Sequence, residues 1–141
     1  MEMGCIVQHV AVECVSEHLA DLFFSEILGL PKVRSTMLSK ELSTAIFRIN
    51  TEVRFVLYDN GSTRFEVFIA DRSRKPTFAH VCLVVNKKEN FVSRCMEQGL
   101  APFIVERNGK QLLFVRDFTG NLFEVLENNK NINDEQKGNI N

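Results

Sequence analysis

The feature that most constrains this chain is an internal repeat, in which His9-Val10-Ala11-Val12 returns 71 residues later as His80-Val81-Cys82-Leu83. Three further anchors recur in the same order and at nearly the same spacing. They are Gly29-Leu30-Pro31 with Gly99-Leu100-Ala101-Pro102, Phe55-Val56-Leu57-Tyr58-Asp59 with Phe114-Val115-Arg116-Asp117, and Phe65-Glu66-Val67-Phe68 with Phe123-Glu124-Val125-Leu126. Four ordered matches predict a duplicated module.

Each copy begins with a predicted strand and helix. Alternating, Val- and Ile-rich segments predict strands over Gly4–Cys14 and Phe78–Val85. Ser16 is the expected N-cap of the first helix, which Gly29 and Pro31 end, and Asn86 is the expected cap of the second, which ends at Gly99. Short β-rich segments follow, over Lys32–Met37, Thr44–Ile49, Val53–Tyr58, Arg64–Ala70, Phe103–Glu106, Gln111–Arg116 and Leu122–Leu126.

Turn residues separate these segments. Asn60-Gly61 and Asn108-Gly109 are hairpin signals, and Thr119-Gly120-Asn121 marks a third tight turn. The first copy is longer than the second, and we expect its extra residues, within Ser35–Ile46, to form an extra strand or loop. The predicted fold class is α+β, with two tandem βαβββ modules that form a curled mixed sheet around a central cavity with the helices outside.

Length and composition set the domain boundaries. With 141 residues, of which 45% are hydrophobic, we expect one domain over residues 1–127, with modules 4–70 and 78–127 and an exposed connector 71–77. Residues 128–141 are polar and Asn-rich, which predicts a disordered tail.

The charge balance and the cysteines exclude several classes of function. Seventeen basic and eighteen acidic residues give a net charge of -1, which disfavours binding to nucleic acid or to an anionic membrane surface. No basic leader precedes the first apolar stretch and no apolar run reaches the roughly 18 residues of a membrane span, so we expect a soluble, cytoplasmic protein. The spacing of the four cysteines matches no redox pair or zinc knuckle, which predicts buried, reduced thiols at Cys5, Cys14, Cys82 and Cys95.

Strand alternation predicts four polar side chains on the faces away from the helices. His9, Glu66, His80 and Glu124 each lie opposite an apolar row of their own strand and occupy equivalent positions in the two copies. If the sheets of a two-fold repeat curl towards each other, two imidazoles and two carboxylates surround one point. This set predicts one octahedral divalent metal ion, which could be Zn, Ni, Co, Mn or Fe.

Other polar residues are less directly implicated. Glu13 shares the face of His9 but has no repeat partner, which favours a position at the rim, and His18 at the start of the helix is given no role. Four arginines could hold a substrate carboxylate or could be ordinary solvated side chains, namely Arg48, Arg54, Arg107 and Arg116.

Two blocks of this sequence resemble the vicinal oxygen chelate superfamily. The first is His9–Val12 with the helix ending Phe23–Leu30, where Phe24 stands at the customary Tyr; the second is Phe114–Val125, where Phe118 stands at the customary Pro. The resemblance covers residues 5 to 127 and implies metal ligands at His9, Glu66, His80 and Glu124. This complete set is more similar to glyoxalase I than to the epimerases, dioxygenases or fosfomycin enzymes, although longer elements often seen in glyoxalase I are lacking.

The function expected from this resemblance is that of a metal-dependent lyase or isomerase of the glyoxalase type. It would act on a small substrate with vicinal oxygens by proton transfer through an enediolate, with Glu124 as the base and Glu66 as its pseudo-symmetric partner. The alternative is a metal-free small-molecule binding or drug-sequestration protein of the bleomycin-resistance type, and extradiol dioxygenase chemistry is a third reading. Pairing of modules between two chains is compatible with a homodimer.

Overall fold

Two four-stranded mixed sheets, one from each copy of the repeat, make up the β-structure of the computed structural model. The structure describes residues 4–71 and 75–129. The chain divides into two compact units: residues 118–121 belong with the first copy, and residues 77–117 and 122 onwards form the second unit. The predicted α+β fold with two βαβββ modules is confirmed, whereas a single domain over 1–127 stays a prediction.

The first sheet contains β1 (Val10–Cys14), β2 (Lys32–Leu38), β3 (Val53–Asp59) and β4 (Arg64–Ile69). The strand order is β1-β4-β3-β2, in which β1 runs parallel to β4 and the other neighbours are antiparallel. Asn60-Gly61 lies between β3 and β4 as the sequence predicts, and Asn60 Oδ1 accepts hydrogen bonds from the N–H groups of Ser62 and Thr63.

The first helical stretch of the chain covers one face of this sheet. It begins with α1 (Glu17–Ala20) and continues as a π-helical segment, Asp21–Ile27. Ser16 is the N-cap, as predicted, and its Oγ accepts a hydrogen bond from the Leu19 N–H at 3.1 Å. Phe24 is fully buried and stacks on Tyr58 of β3, with ring centroids 5.3 Å apart. This packing holds the helix against the apolar face and leaves the other face for function.

The extra residues of the first copy form a helix, so the prediction of a strand over Thr44–Ile49 is wrong. Helix α2 (Lys40–Phe47) begins at Ser39, whose Oγ accepts from the Leu42 N–H at 3.2 Å, and ends at Arg48 in the left-handed conformation with φ 61°. The buried Ser43 hydroxyl donates to the Ile49 carbonyl at 2.9 Å. The two serines therefore satisfy backbone groups at both ends of the helix, which outweighs the β-branched character of the segment.

The second sheet contains β5 (His80–Val85), β6 (Phe103–Arg107), β7 (Lys110–Arg116) and β8 (Leu122–Glu127), in the order β5-β8-β7-β6. Helix α3 (Lys88–Glu97) connects β5 to β6 and buries Phe91 and Cys95. Asn108 and Gly109 connect β6 to β7 with positive φ values of 54° and 78°. Two consecutive positive φ values fit a type I′ turn, so this hairpin prediction is confirmed.

Several predicted boundaries change. The strand predicted from Gly4 begins only at Val10, and Ile6, within the predicted strand, is 90% exposed. The strand predicted from Phe78 begins at His80. Asn86 does not cap α3; the N-cap is Lys87, and the carboxylate of Glu127 accepts from the Lys88 N–H at 2.9 Å. A side chain distant in sequence thus accepts the hydrogen bond of an N–H group at the start of this helix.

All four cysteines are free thiols. Cys14 and Cys95 are buried as predicted, and burial raises the pKa of the Cys95 thiol to about 11. The prediction is wrong for Cys5 and Cys82, which are exposed. In the described parts of the chain, no helix combines the length and apolarity needed to cross a bilayer. The predicted disordered tail, apart from Asn128 and Asn129, and residues 72–74 of the predicted connector lie outside the described residues.

Candidate metal and substrate site

His9 and Glu66 converge on the first sheet, on the face away from α1 and the Asp21–Ile27 segment. His9 lies directly before β1, which pairs in parallel with β4 so that Ala11 is opposite Glu66. The Nε2 atom of His9 is 3.5 Å from Glu66 Oε1, and the two side chains are 39% and 24% exposed. Both are therefore accessible to a ligand, and the structure brings these two of the four predicted site residues together.

Alternation in β4 explains why Glu66 faces this way. Phe65 and Val67, its neighbours in the strand, are buried among the core residues, whereas Glu66 is only half-buried. The other ring nitrogen of His9, Nδ1, contacts Gln8 Oε1 at 2.5 Å. This contact leaves Nε2 directed at the carboxylate.

His80 and Glu124, the equivalent residues of the second unit, line one cavity of about 650 Å³. The His80 Nδ1 lies 2.9 Å from the carbonyl oxygen of Phe78. Since a carbonyl can only accept, Nδ1 carries the proton and donates, and the lone pair of a neutral ring is on Nε2. An Nδ1–H···O=C hydrogen bond of this kind orients histidines that bind metals in proteins.

The cavity of the second unit also has cationic and apolar walls. Arg107 and Lys110 lie on the β6–β7 hairpin, where they are paired across the turn. The remaining lining residues are Thr77, Phe78, Asn108, Leu112, Phe114 and Leu122. Of these groups the sequence indicates only Arg107 as a candidate; the signal for Lys110 is its position directly after the Asn108-Gly109 turn, which places it opposite Arg107.

The other candidate residues have different surroundings. Arg54 donates to Ser35 Oγ at 3.0 Å and lies 3.9 Å from Glu17, so it takes part in a polar network on the first unit. Arg48 ends α2, and Arg116 is exposed at the end of β7. His18 is exposed, in accordance with its lack of a predicted role.

The donor set of each unit suits a divalent metal. The first unit pairs His9 with Glu66, and in the second unit His80 and Glu124 line one cavity; imidazoles and carboxylates are ligands for the ions considered above. Among residues 4–71 and 75–129, no three His, Cys, Asp or Glu side chains are grouped closely enough to hold an ion. A single ion shared by all four residues stays a prediction.

The fold is shared with solved structures of glyoxalase family proteins and fosfomycin-resistance proteins. A glyoxalase family protein from Enterococcus faecalis is 21% identical with a TM-score of 0.63, over 85% of this chain and 95% of that chain. A glyoxalase family protein from Bacillus cereus is 21% identical with a TM-score of 0.65, over 89% and 95%. A mutant of the fosfomycin resistance protein FosX from Listeria monocytogenes, complexed with Mn(II) and 1S,2S-dihydroxypropylphosphonic acid, is 13% identical with a TM-score of 0.68, over 92% and 96%.

These similarities define the class of protein at the level of the fold. Glyoxalase family proteins and FosX belong to the vicinal oxygen chelate superfamily, and the chain has the fold of that superfamily, as its sequence motifs predict. No family model matches the sequence. No curated protein matches it either.

Proposed function

We propose that this chain is a metal-dependent enzyme of the glyoxalase type, which acts on a small, anionic substrate with vicinal oxygen atoms. The observation that carries the proposal is the cavity of the second unit, where His80 and Glu124 share one space with Arg107 and Lys110. A ligand pair beside two cations suits a substrate that both chelates a metal and carries negative charge.

The proposed ligands are His9, Glu66, His80 and Glu124, with the two pairs holding one ion. When bound, a divalent ion would polarise a substrate carbonyl and stabilise negative charge on the neighbouring oxygen. The hydrogen bond from His80 Nδ1 to the Phe78 carbonyl keeps the Nε2 lone pair available for this role. Gln8 places the Nε2 atom of His9 towards Glu66 in the first unit.

Glu124 is the proposed base, which removes a proton from the carbon next to the substrate carbonyl, with Glu66 as its equivalent in the first unit. Arg107 and Lys110 would bind the anionic group and so fix the substrate in the cavity. The complex of the FosX mutant with Mn(II) and a phosphonic acid supports this assignment, since that protein has the same fold and its ligand combines an anionic group with two neighbouring hydroxyls.

Metal content tests the proposal before any substrate is known. Protein purified without chelator, or apo protein titrated with Mn(II), Ni(II) or Zn(II), should bind about one equivalent per chain if the four residues share an ion. His80→Ala removes one of the ligands and should weaken binding by at least about 10-fold, since even residues that only support a ligand typically cost 10-fold to 100-fold. His18→Ala, an exposed histidine outside both pairs, should bind as the parent does.

Retention of metal by both His80→Ala and Glu124→Ala would refute the metal site. Kinetics on α-keto hemithioacetals, acyl-CoA thioesters and fosfomycin then separate the reaction classes. A metal-loaded protein inert towards all three would contradict the proposed proton transfer while leaving the metal site standing.

The second candidate function is metal-free binding or sequestration of a small molecule, as in the bleomycin-resistance proteins. The apolar part of the cavity wall, Leu112, Phe114 and Leu122, favours it. The two functions differ in one measurement: a sequestering protein should bind its ligand equally well in the presence and absence of a chelator.

A further inference from the structure

An aromatic cluster on the first unit is contributed partly by α2, the helix that the second copy of the repeat lacks. Phe47 at the end of α2 contacts Phe68 of β4 edge-to-face, with ring centroids 5.2 Å apart. Phe68 in turn stacks on Phe55 of β3 at 5.3 Å and an interplanar angle of 19°. The three rings are therefore continuous from the inserted helix to the sheet.

This cluster occupies the same face of the sheet as the His9–Glu66 pair. Phe68 is two positions from Glu66 along β4, so the two side chains share a face and lie about 7 Å apart. Phe55 is the cross-strand partner of Phe68, as Leu57 is of Glu66. The rings thus flank the proposed metal ligands on the side towards α2.

The rings are only partly covered. Phe47 is 44% exposed, and Phe55 and Phe68 are half-buried. An anchor that served only to fix α2 would be expected to bury its ring, as Phe24 of the Asp21–Ile27 segment does against the first sheet. In the second copy, leucines take the register positions of Phe55 and Phe68, namely Leu112 and Leu126, so this three-ring cluster is particular to the first copy, whereas the second unit has a separate stacked pair, Phe103 and Phe114.

We infer that Phe47, Phe68 and Phe55 form a subsite for an apolar substituent of the substrate, an aryl ring or a branched alkyl group next to its chelating oxygens. The inference rests on the proposed function and deepens it by naming the substrate class. The separation of about 7 Å between Glu66 and Phe68 is bridged by one ring attached to the chelating carbon, whereas a methyl group falls short. A flat ring can also pack against the exposed part of Phe47.

Two hydroxamates provide the test, since both chelate a metal through vicinal oxygens and they differ only in their substituent. Acetohydroxamate carries a methyl group and benzohydroxamate carries a phenyl ring. Their dissociation constants are measured by calorimetry on the metal-loaded full-length protein. Benzohydroxamate should bind about 3-fold to 10-fold more tightly, in line with the effect of aromatic pairs, after correction for the intrinsic affinities of both compounds for the free metal.

Phe47→Ala should abolish this preference and leave acetohydroxamate binding unchanged, because Phe47 lies at the exposed end of α2 and reaches the sheet through its ring contact with Phe68. Phe47→Leu, which keeps an apolar side chain, should retain part of the preference. It is a control for the case in which Phe47→Ala acts only by unfolding α2. Leu42→Ala is the matched control, since Leu42 is a 51% exposed apolar residue of the same helix outside the cluster. It should bind both compounds as the parent does.

The outcomes separate this inference from the proposed function. Equal binding of both hydroxamates, or a preference that survives Phe47→Ala, overturns the aromatic subsite while the metal site stands. Failure of the protein to bind metal in the preceding titration overturns the proposed function and this inference with it. A preference lost in Phe47→Ala and kept in Leu42→Ala supports the subsite.

Discussion

The side-chain amide of Asn121 donates a hydrogen bond of 2.8 Å to the backbone carbonyl of Glu13, across 108 residues of sequence. Two residues earlier, the Thr119 hydroxyl accepts from the Val15 N–H at 3.1 Å. The Thr119-Gly120-Asn121 segment, which the sequence marks only as a tight turn, therefore satisfies backbone groups at the end of β1. This explains why residues 118–121 group with the first unit although they follow β7 of the second.

Asn121→Ala should destabilise the protein by about 1–3 kcal/mol, because Asn121 is only 8% exposed and its loss leaves the Glu13 carbonyl without this donor. Chemical denaturation at neutral pH measures the effect. Asn121→Asp should be similarly costly, since a carboxylate cannot donate to a carbonyl, whereas Asn129→Ala, at an exposed position, should be neutral. An unchanged denaturation midpoint for Asn121→Ala would show that the segment is not held by this bond.

The ion pair between Glu17 and Lys32 gives the fold a pH dependence. Lys32 Nζ lies 2.6 Å from Glu17 Oε2 and 3.1 Å from Asp21 Oδ2. The hydrogen bond from Lys32 lowers the pKa of Glu17 below its ordinary 4.5, and the same bond raises the pKa of Lys32. Because the carboxyl pKa is lower in the folded state, its contribution to stability is present above pH 4.5 and is lost as the pH falls through the folded value.

Glu17→Gln should therefore lower the free energy of unfolding at pH 7, by up to about 1 kcal/mol for a partly exposed pair. The difference from the parent should shrink as the pH falls from 4.5 through the lower folded-state pKa, below which the parent carboxylate is also neutral. Denaturation series between pH 3 and pH 8 provide the measurement. Glu26→Gln, an exposed residue of the same helical stretch, is the control, and a difference independent of pH would contradict the assignment.

The fold was predictable because strand alternation is a local signal and the repeat presents it twice. The two Asn-Gly turns and the Ser16 cap follow from residues adjacent in sequence, and each is present. The predicted cap of α3 failed for the opposite reason. The acceptor is Glu127, 39 residues away, and no local pattern identifies such a partner.

Helix α2 shows a second limit of sequence reasoning. The segment Thr44–Ile49 contains residues typical of strands, and its apolar side chains are mostly exposed, so burial of an apolar face does not explain the helix. Ser39 and Ser43 decide the conformation by accepting and donating at the helix ends. Small polar residues at the helix ends are thus a local signal for this element.

The candidate site was predictable in part. Alternation alone places Glu66 and Glu124 away from the core; Glu66 lies beside His9, and Glu124 lines the same cavity as His80, while their role as metal ligands stays a prediction. The aromatic cluster was not predicted, because Phe47 reaches Phe68 only after the unexpected helix has formed. Phenylalanine composition cannot distinguish a core ring from one at a site.

The cationic wall of the cavity allows a test of substrate charge. Arg107 and Lys110 both line it, and both are exposed at the tip of the β6–β7 hairpin. Replacing both with glutamine should weaken binding of phosphonoacetohydroxamate to the metal-loaded protein by about 5-fold or more, since exposed charge pairs contribute up to about 1 kcal/mol each. Acetohydroxamate, which chelates through the same oxygens but lacks the phosphonate, should bind as tightly to the variant as to the parent.

Salt concentration provides a second arm of this test. The preference of the parent for the phosphonate compound should fall between 0.01 M and 1 M salt, because the screening length shortens from about 30 Å to about 3 Å over that range. Lys40→Ala, which removes an exposed lysine at the start of α2, should leave the preference intact. If the double variant keeps the phosphonate preference at low salt, the two cations do not bind the substrate, and its charge must be recognised elsewhere or not at all.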